Sequence, residues 1–331
     1  MAAYTTIDNP ELYFQTKTYT GNGSTQAITL DGDEDMQPDF VWIKDRDATN
    51  SHRLTDSVRG VEKELYSNQT YTEDPNGGLT AFGSDGFSLN SNGSYNGNTV
   101  NYVAWCWKES ATAGFDIVSF EGTGSAHMVS HSLSAKPLVV IAKNRERAAN
   151  WLVYDAAMDA SGDYSLFLDS TSAKDNSQNY WGDTEATTSQ FSVGTRQENN
   201  QSGEDIIAYC FAEKQGFSKF GSYTGNGNAD GPFIYTGFRP AWVMVKRTDS
   251  ANSWMMYDNK RNPINLVDNP LYAEGSDAEG TSSAASFDFL SNGFKCRGTG
   301  SAINASGATM IYMAFAEASF VNSKGVPCNA R

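Results

Sequence analysis

The chain has 331 residues, of which 39% are hydrophobic and 19% are charged, and its formal net charge at pH 7 is −15. A surface this acidic repels phosphate backbones and anionic lipids, so we expect neither nucleic acid nor a membrane as a partner. The sequence shows no apolar run of about 20 residues and no charged-then-apolar leader, which predicts a protein made in a cytoplasm without membrane insertion.

Three landmarks occur three times each along the chain. The first is an aromatic residue followed by two glycines that are two positions apart. Its copies are residues 19–23 (YTGNG), 120–124 (FEGTG) and 223–227 (YTGNG). Glycine adopts positive φ at little cost, so each copy predicts a tight turn at the end of a strand.

The second landmark is a strand-like run that begins with proline and ends with lysine. Its copies are residues 38–44 (PDFVWIK), 137–143 (PLVVIAK) and 240–246 (PAWVMVK). The prolines are 99 and 103 residues apart (137 − 38 and 240 − 137), and Asp56, Asp155 and Asp258 repeat at the same spacings. We interpret these as copies of one unit of about 100 residues, a usual size for a small β module.

The third landmark alternates large and small residues, which is typical of a closely packed strand. Its copies are residues 103–107 (VAWCW), 207–211 (IAYCF) and 311–315 (IYMAF). Helix patterns are weak throughout. The best candidate is residues 56–65, where Val58, Val61 and Leu65 would share one face, and a loop is an equally supported alternative.

The sequence therefore predicts an all-β protein of three tandem, jelly-roll-like β-sandwich modules of about 100 residues each. We place the modules at residues 14–109, 114–214 and 216–318. An N-terminal segment, 1–13, precedes them and a C-terminal tail, 319–331, follows them. The joins are short, so neighbouring modules are expected to touch and to form a semi-rigid array.

The four cysteines are expected to be reduced thiols. Cys106 and Cys210 occupy matching positions in different modules, so we expect them in separate cores, beyond the roughly 7 Å between Cα atoms that a disulfide allows. Cys296 and Cys328 have no close partner in the sequence.

One acidic cluster resembles the start of a calcium loop. It contains Asp31, Asp33 and Asp35, but Met36 and Trp42 stand where such a loop needs glycine and glutamate. A solvated hairpin tip is the favoured interpretation, and a weak ion site is left open. We predict no metal and no other cofactor.

The recurring aspartates suggest a glycosidase, but the pattern favours a structural role. Asp56, Asp155 and Asp258 fall one per module, whereas glycoside hydrolysis needs two carboxylates about 5–10 Å apart. Aspartate at a strand end commonly caps a turn through nearby backbone N–H groups. His52 stands where the other copies have tryptophan, which predicts a packing role. We predict no catalytic residues and no enzyme.

Aromatic residues divide into two predicted groups. Five tryptophans lie inside predicted strands and are expected in the core: Trp42, Trp105, Trp107, Trp242 and Trp254. Four aromatics lie in loop-like stretches and are the candidate surface or ligand contacts: Tyr95, Tyr180, Trp181 and Tyr272. Exposed aromatic rings can stack on sugars and anchor interfaces.

Several segments resemble a family of repeat-containing virion structural proteins, often described as tail-fibre-like, from marine tailed bacteriophages. The segments are residues 7–10 (IDNP), 13–17 (YFQTK), 38–44 (PDFVWIK), 56–61 (DSVRGV), 86–89 (GFSL) and 320–327 (FVNSKGVP), with the ending 330–331 (AR). The resemblance covers nearly the whole chain and is weakest in the middle module. It implies a virion component and offers no catalytic residues.

From this resemblance we expect a non-enzymatic tail fibre or fibre-like appendage, located in the virion and assembled in the host cytoplasm. Residues 1–13 would be a docking arm for other virion proteins, with Ile7, Pro10, Tyr13 and Phe14 as its contacts. Edge strands would pair laterally in a homo-oligomer, with a trimer favoured, and the loops would meet host-surface glycans. The alternatives are a capsid decoration protein and a multivalent carbohydrate-binding protein.

Overall fold

The computed structural model describes residues 4–327, in which antiparallel strands dominate. The strands form three sets in chain order, here called repeats 1, 2 and 3, and each strand pairs within its own set. Repeat 1 contains β1 (Phe14–Thr20), β2 (Gln26–Ile28), β3 (Phe40–Asp45), β4 (Arg53–Asp56), β5 (Leu79–Gly83), β6 (Gly86–Leu89) and β7 (Asn101–Trp107). Repeat 2 contains β8 (Phe115–Glu121), β9 (His127–Ser130), β10 (Val139–Asn144), β11 (Leu152–Asp155), β12 (Leu166–Phe167), β13 (Gln190–Val193) and β14 (Asp205–Phe211). Repeat 3 contains β15 (Ser218–Thr224), β16 (Phe233–Tyr235), β17 (Phe238–Arg247), β18 (Met255–Asp258), β19 (Leu271–Tyr272), β20 (Phe287–Leu290), β21 (Gly293–Cys296) and β22 (Thr309–Ser319).

In the described part of the chain, helices are limited to single turns. Two are 3-10 turns, Pro10–Leu12 and Ser283–Ala285, and three are α-helical turns that precede the last strand of each repeat: α1 (Gly93–Asn96), α2 (Gln197–Asn200) and α3 (Ser301–Asn304). Within residues 4–327, none has the length and apolar character needed to cross a bilayer. The all-β prediction is confirmed.

The helix candidate at residues 56–65 is wrong, and the loop alternative is correct. The chain turns directly after β4, because the Asp56 carboxylate accepts the backbone N–H of Arg59 and Gly60 takes a left-handed φ of +96°. Leu65 then forms a bridge to Leu54.

Each repeat has one larger and one smaller antiparallel sheet, here called the inner and outer sheets. The inner sheets have the strand orders β1-β7-β3-β4, β8-β14-β10-β11-β12 and β15-β22-β17-β18-β19. The outer sheets have the orders β2-β6-β5, β9-β13 and β16-β21-β20. In repeat 1, Val41, Ile43 and Cys106 of the inner sheet pack against Ile28 and Phe87 of the outer sheet.

The inner sheets are buried on both faces, because their second faces meet in one core shared by the three repeats. All six residues of β3 and of β10 are buried. Aromatic contacts cross between each pair of repeats: Phe40 with Tyr209 (centroids 4.3 Å apart), Trp107 with Trp242 (5.6 Å) and Phe211 with Phe315 (5.9 Å). At their centre an apolar cavity of about 10 Å³ remains, near the minimum volume that one water molecule needs. The repeats therefore close around a common centre, rather than following one another in a row.

The predicted core tryptophans and the predicted separation of two thiols are confirmed. Trp42, Trp105, Trp107, Trp242 and Trp254 are all buried. Cys106 and Cys210 lie in different hydrophobic clusters, and Cys296 is a third buried free thiol. Cys328 lies outside the described residues.

The predicted docking arm is folded onto repeat 3. Ile7, Pro10 and Phe14 are buried, and the Phe14 ring stacks on Phe315 with centroids 5.2 Å apart. Tyr13 is half-buried against Phe217. The apolar surface of Ile7, Pro10 and Phe14 is therefore buried against the chain's own repeats, and a docking role of residues 1–13 stays a prediction.

The N-terminal segment also meets the C-terminal tail. The Asp8 carboxylate accepts hydrogen bonds from the backbone N–H (2.6 Å) and the hydroxyl of Ser323. The Tyr4 hydroxyl donates to the carbonyl oxygen of Gly237 at 3.0 Å, at the start of the long strand β17. Both ends of the described chain therefore lie together beside repeat 3.

The two glycines of each pair are needed for different structural reasons. At the first positions, a Cβ atom would lie only 2.2–2.3 Å from a carbonyl oxygen: Gly21, Gly122 and Gly225. At the second positions, φ is left-handed: Gly23 (+70°), Gly124 (+74°) and Gly227 (+69°). The predicted tight turns with positive φ are therefore present in all three repeats.

We expect Gly23→Ala to lower the free energy of unfolding by about 1–2 kcal/mol, because an L-residue at this φ is strained. Gly93→Ala is the matched control, since its backbone is not left-handed and no atom lies within 4 Å of a Cβ placed there. Urea unfolding followed by circular dichroism measures both. Equal stabilities of the two variants would contradict the prediction.

Candidate functional site

The recurring aspartates end the fourth strand of each inner sheet and are fully buried. Each carboxylate accepts backbone N–H groups of the turn that follows it. The donors are Arg59 for Asp56, Ala157 and Met158 for Asp155, and Lys260 and Arg261 for Asp258. The predicted turn-capping role is confirmed.

Two of these aspartates also bind the neighbouring repeat. The Tyr209 hydroxyl of repeat 2 donates to Asp56 at 2.8 Å, and Trp105 Nε1 of repeat 1 donates to Asp258 at 3.1 Å. The residue of repeat 3 that corresponds to Trp105 and Tyr209 is Met313, which has no hydrogen to donate. The contact between repeats 2 and 3 therefore lacks this hydrogen bond.

The same two aspartates have a buried arginine as partner. Arg59 Nε donates to Asp56 at 2.5 Å and Arg261 Nε donates to Asp258 at 2.6 Å, and all four side chains are inaccessible to solvent. Repeat 2 has Met158 at the corresponding position. Within residues 4–327, the Asp155 carboxylate accepts hydrogen bonds from backbone N–H groups alone, and burial raises its pKa to about 7.

A second contact is made three times in cyclic order. Trp151 Nε1 of repeat 2 donates to the carbonyl oxygen of Tyr66 in repeat 1 at 2.8 Å. Trp254 Nε1 of repeat 3 donates to the carbonyl oxygen of Phe167 in repeat 2 at 2.9 Å. His52 Nε2 of repeat 1 lies 2.9 Å from the carbonyl oxygen of Tyr272 in repeat 3. Each repeat therefore contacts both others, as around a threefold axis.

The cyclic contact fixes the protonation of His52. Trp42 Nε1 donates to His52 Nδ1 at 2.8 Å, so Nδ1 carries no proton, and Nε2 must be the donor to Tyr272. Complete burial and the nearby Lys44 ammonium lower the pKa of His52 well below its usual value. The predicted packing role is confirmed.

The lysines of the second landmark are also buried structural groups. Lys143 Nζ donates to the carbonyl oxygen of Thr70 in repeat 1, and Lys246 Nζ donates to that of Thr171 in repeat 2. Lys44 Nζ donates to carbonyl oxygens of its own repeat, at Asp45 and Ala48. Burial lowers the pKa of each lysine to about 8. All three ammonium groups therefore serve to fix loops.

Charged pairs reinforce two of the three contacts between repeats. Arg145 of repeat 2 binds Glu73 of repeat 1 through two nitrogens at 3.0 Å each, and Arg46 of repeat 1 binds Glu279 of repeat 3 at 2.8 and 2.9 Å. At the contact between repeats 2 and 3, Lys174 and Thr248 keep the equivalent backbone hydrogen bond but form no such pair.

An open cleft of about 500 Å³ lies beside the Glu73–Arg145 pair. Its two cations are already paired, Arg145 with Glu73 and Asp205, and Lys63 with Glu73. Of these pairs, Glu73–Arg145 joins repeats 1 and 2, and the other two lie within a repeat.

Of the four candidate surface aromatics, three are buried and the fourth, Tyr272, is half-buried. Tyr95 is fully buried and its hydroxyl donates to Glu64 at 2.5 Å. Tyr180 is buried with its hydroxyl on Asp175, and Trp181 is buried against Tyr154.

Tyr272 is half-buried and lies at the contact between repeats 1 and 3, where its carbonyl oxygen meets His52. Polar flanking residues made these stretches look like exposed loops, but Tyr95, Tyr180 and Trp181 are buried. The exposed aromatics are instead Tyr71, Phe233 and Tyr235. The sequence carries no signal for the last two, because residues 233–235 (FIY) are all apolar and show no alternation.

The acidic cluster does not assemble an ion site. Asp31 pairs with Lys17, and the backbone N–H of Asp33 donates to Glu11. Within residues 4–327, no group of three or more His, Cys, Asp or Glu side chains is placed to hold a metal ion.

One family model matches residues 9–319, and its description is Domain of unknown function (DUF7483). The chain belongs to this family. No curated protein matches the sequence. The DUF7483 match extends from the first 3-10 turn to the end of β22, so one family domain contains all three repeats and the contacts between them.

In this DUF7483 chain, we expect His52 to make stability depend on pH. The unfolded imidazole takes up a proton below pH ~6.5 and the buried one does not. As the pH decreases below ~6.5, the free energy of unfolding therefore falls by ~1.4 kcal/mol per pH unit. Urea unfolding of the wild type and His52→Gln between pH 7 and 5 measures it. The difference between the two proteins should change with pH, and a constant difference would contradict the prediction.

Proposed function

We propose that this protein is a non-enzymatic structural protein of a tailed-bacteriophage virion, acting as a tail fibre or fibre-like appendage that contacts the host surface. The sequence resemblance to phage virion proteins supports the location. The arrangement of the repeats supports the structural role. We further propose that each repeat is a jelly-roll-like β-sandwich module.

The observation that carries this proposal is the cyclic contact among the repeats. Trp151, Trp254 and His52 each bind a carbonyl oxygen of a neighbouring repeat, and the three contacts follow one rotational sense. A single chain thus presents one fold three times around an axis. Cyclic symmetry of this kind suits a part that continues or ends a symmetric fibre.

The use of the buried carboxylates supports a role without catalysis. Asp56 and Asp258 are neutralised by arginines and face neighbouring repeats, so their oxygens are not directed at a solvent-filled cleft. A retaining or inverting glycosidase needs two carboxylates flanking one substrate site.

Immunogold labelling of intact particles tests the location. Antibody against this protein should label the tail or its projections. Label over the head would favour the capsid decoration protein instead, and particles without label would overturn the proposal.

We propose that whole chains associate as a homotrimer and that other virion proteins are its partners. Light scattering of the purified protein should then give three times the chain mass of 36.0 kDa. A mass of one chain would contradict the trimer and leave the internal ring as the threefold element.

A further inference from the structure

Strand β16 exposes two aromatic side chains on one face. It is an edge strand, paired only with β21 in the outer sheet of repeat 3. Phe233 and Tyr235 are 45% and 52% exposed, whereas Ile234 between them is 6% exposed. Successive side chains of a strand point to opposite faces, so both rings stand on the outward face of this sheet.

The other two repeats show that the fold does not need these rings. Ile28, Val129 and Ile234 are equivalent, because they pair with Phe87, Phe191 and Phe294 respectively. The residues on either side are Ala27 and Thr29 in repeat 1, Met128 and Ser130 in repeat 2, and Phe233 and Tyr235 in repeat 3. Repeats 1 and 2 reach the same architecture with small or flexible side chains at these positions.

The residues around the two rings leave their outward faces accessible. Gly293 pairs with Tyr235, and a Cβ atom on Gly293 would lie 3.1 Å from Cε2 of Phe233, so the Phe233 ring lies beside a position without a side chain. The Tyr235 hydroxyl is 3.1 Å from the Tyr4 hydroxyl, which places a polar edge next to the rings.

The charges around the rings are balanced. Lys295 pairs with Asp230, and Arg297 pairs with Asp288 at 3.4 Å. The two cations and two carboxylates leave no local excess of either sign, although the whole chain carries −15. A neutral ligand that can both stack on rings and form hydrogen bonds fits this face better than an ion.

The size of the face argues for a small ligand. An aromatic side chain buries about 150–250 Å² when fully covered, and these two are already half covered. They therefore offer about 150–250 Å², far below the roughly 800 Å² per partner of a stable protein interface.

We propose that the outward face of β16, with Phe233 and Tyr235 as stacking rings, binds a neutral pyranose oligosaccharide. The apolar C–H faces of the sugar rings would lie on the two side chains, and the Tyr4, Tyr235, Lys295 and Asp230 side chains would bind its hydroxyl groups. This inference deepens the proposed function by naming a host-surface ligand, and it rests on that function only for the source of the sugar.

The test uses the full chain on a glycan microarray of neutral and acidic bacterial pyranose oligosaccharides, followed by calorimetry with the neutral glycan that gives the strongest signal. The double variant Phe233→Ala, Tyr235→Thr reproduces Ala27 and Thr29 of repeat 1, so it should fold. We expect a wild-type dissociation constant between about 10 μM and 1 mM and at least ten-fold weaker binding by the double variant. Tyr71→Ala removes an aromatic that is 58% exposed elsewhere and should bind like the wild type.

Three results would overturn the inference: no neutral glycan bound, binding of acidic glycans alone, or equal binding by the wild type and the double variant. Phe233→Ala alone keeps the contact between the Tyr4 and Tyr235 hydroxyls and provides a second test if the double variant unfolds. Immunogold labelling addresses the virion location separately, so a labelled tail without glycan binding would reject this site and leave the proposed function standing.

Discussion

Arg59→Met is expected to lower the free energy of unfolding by about 3–5 kcal/mol. The substitution leaves the fully buried Asp56 carboxylate without its cation, while Tyr209 remains as a neutral donor. Methionine fits the site sterically, since repeat 2 has Met158 there. Packing should change little, so the large effect is expected to come from the unpaired charge. Urea unfolding at pH 8, followed by circular dichroism, measures it.

Two further variants test this interpretation. Asp56→Asn combined with Arg59→Met removes both charges and should recover much of the loss, because it leaves no unpaired ion in the core. Arg247→Met removes an arginine whose partner Asp249 is about half exposed, and it should cost less than about 1 kcal/mol. A loss below 1 kcal/mol for Arg59→Met, or a double variant no more stable than the single one, would contradict the prediction.

Unlike Arg59→Met, the substitution Asp155→Asn is expected to raise the free energy of unfolding at pH 8. Burial holds the folded-state pKa of Asp155 near 7, above the ordinary value of 3.8, so the folded protein retains a proton that the unfolded chain releases. Stability is therefore lost as the pH rises from about 4 to 7. At ~1.4 kcal/mol per pH unit over about three pH units, the loss above pH 7 is on the order of 4 kcal/mol. Asparagine still accepts the N–H groups of Ala157 and Met158 and carries no charge.

Urea unfolding of Asp155→Asn at pH 4 and pH 8 measures this effect. The gain should appear at pH 8 and be absent at pH 4. Asp56→Asn is the matched control at the equivalent position, and it should destabilise at pH 8 because Arg59 loses its partner. Asp155→Asn should also reveal the pH dependence of His52, which has the opposite sign and overlaps that of Asp155 between about pH 4 and 6.5. Loss of stability by Asp155→Asn at pH 8 would refute the prediction.

The sequence predicts the local structure of each repeat well. The glycine pairs, the tryptophans in strands and the aspartates at strand ends all carry local signals, because turns and period-2 burial depend on neighbours along the chain. The single-turn helices such as α1 are missed, since four residues are too few to show a helical period.

The association of the repeats has almost no sequence signal. Trp151 and Trp254 bind carbonyl oxygens of other repeats, and any residue at Tyr66 or Phe167 supplies a carbonyl oxygen. A stacked row and a closed ring therefore look alike in the sequence. The burial of Tyr95 is hidden for a related reason, because its partner Glu64 lies 31 positions away.

The contact between Asp8 and Ser323 brings the N-terminal and C-terminal segments of the described chain together. Because Asp8 and Ser323 lie together, we expect a circular permutant that joins the chain on this side and opens it between the exposed Ala111 and Thr112 to keep all the contacts between repeats described above. The order in which the repeats are translated is then not a determinant of the native state. Covalent linkage of three repeats that contact one another replaces the concentration dependence of a trimer's assembly with a high effective concentration of each repeat near the others.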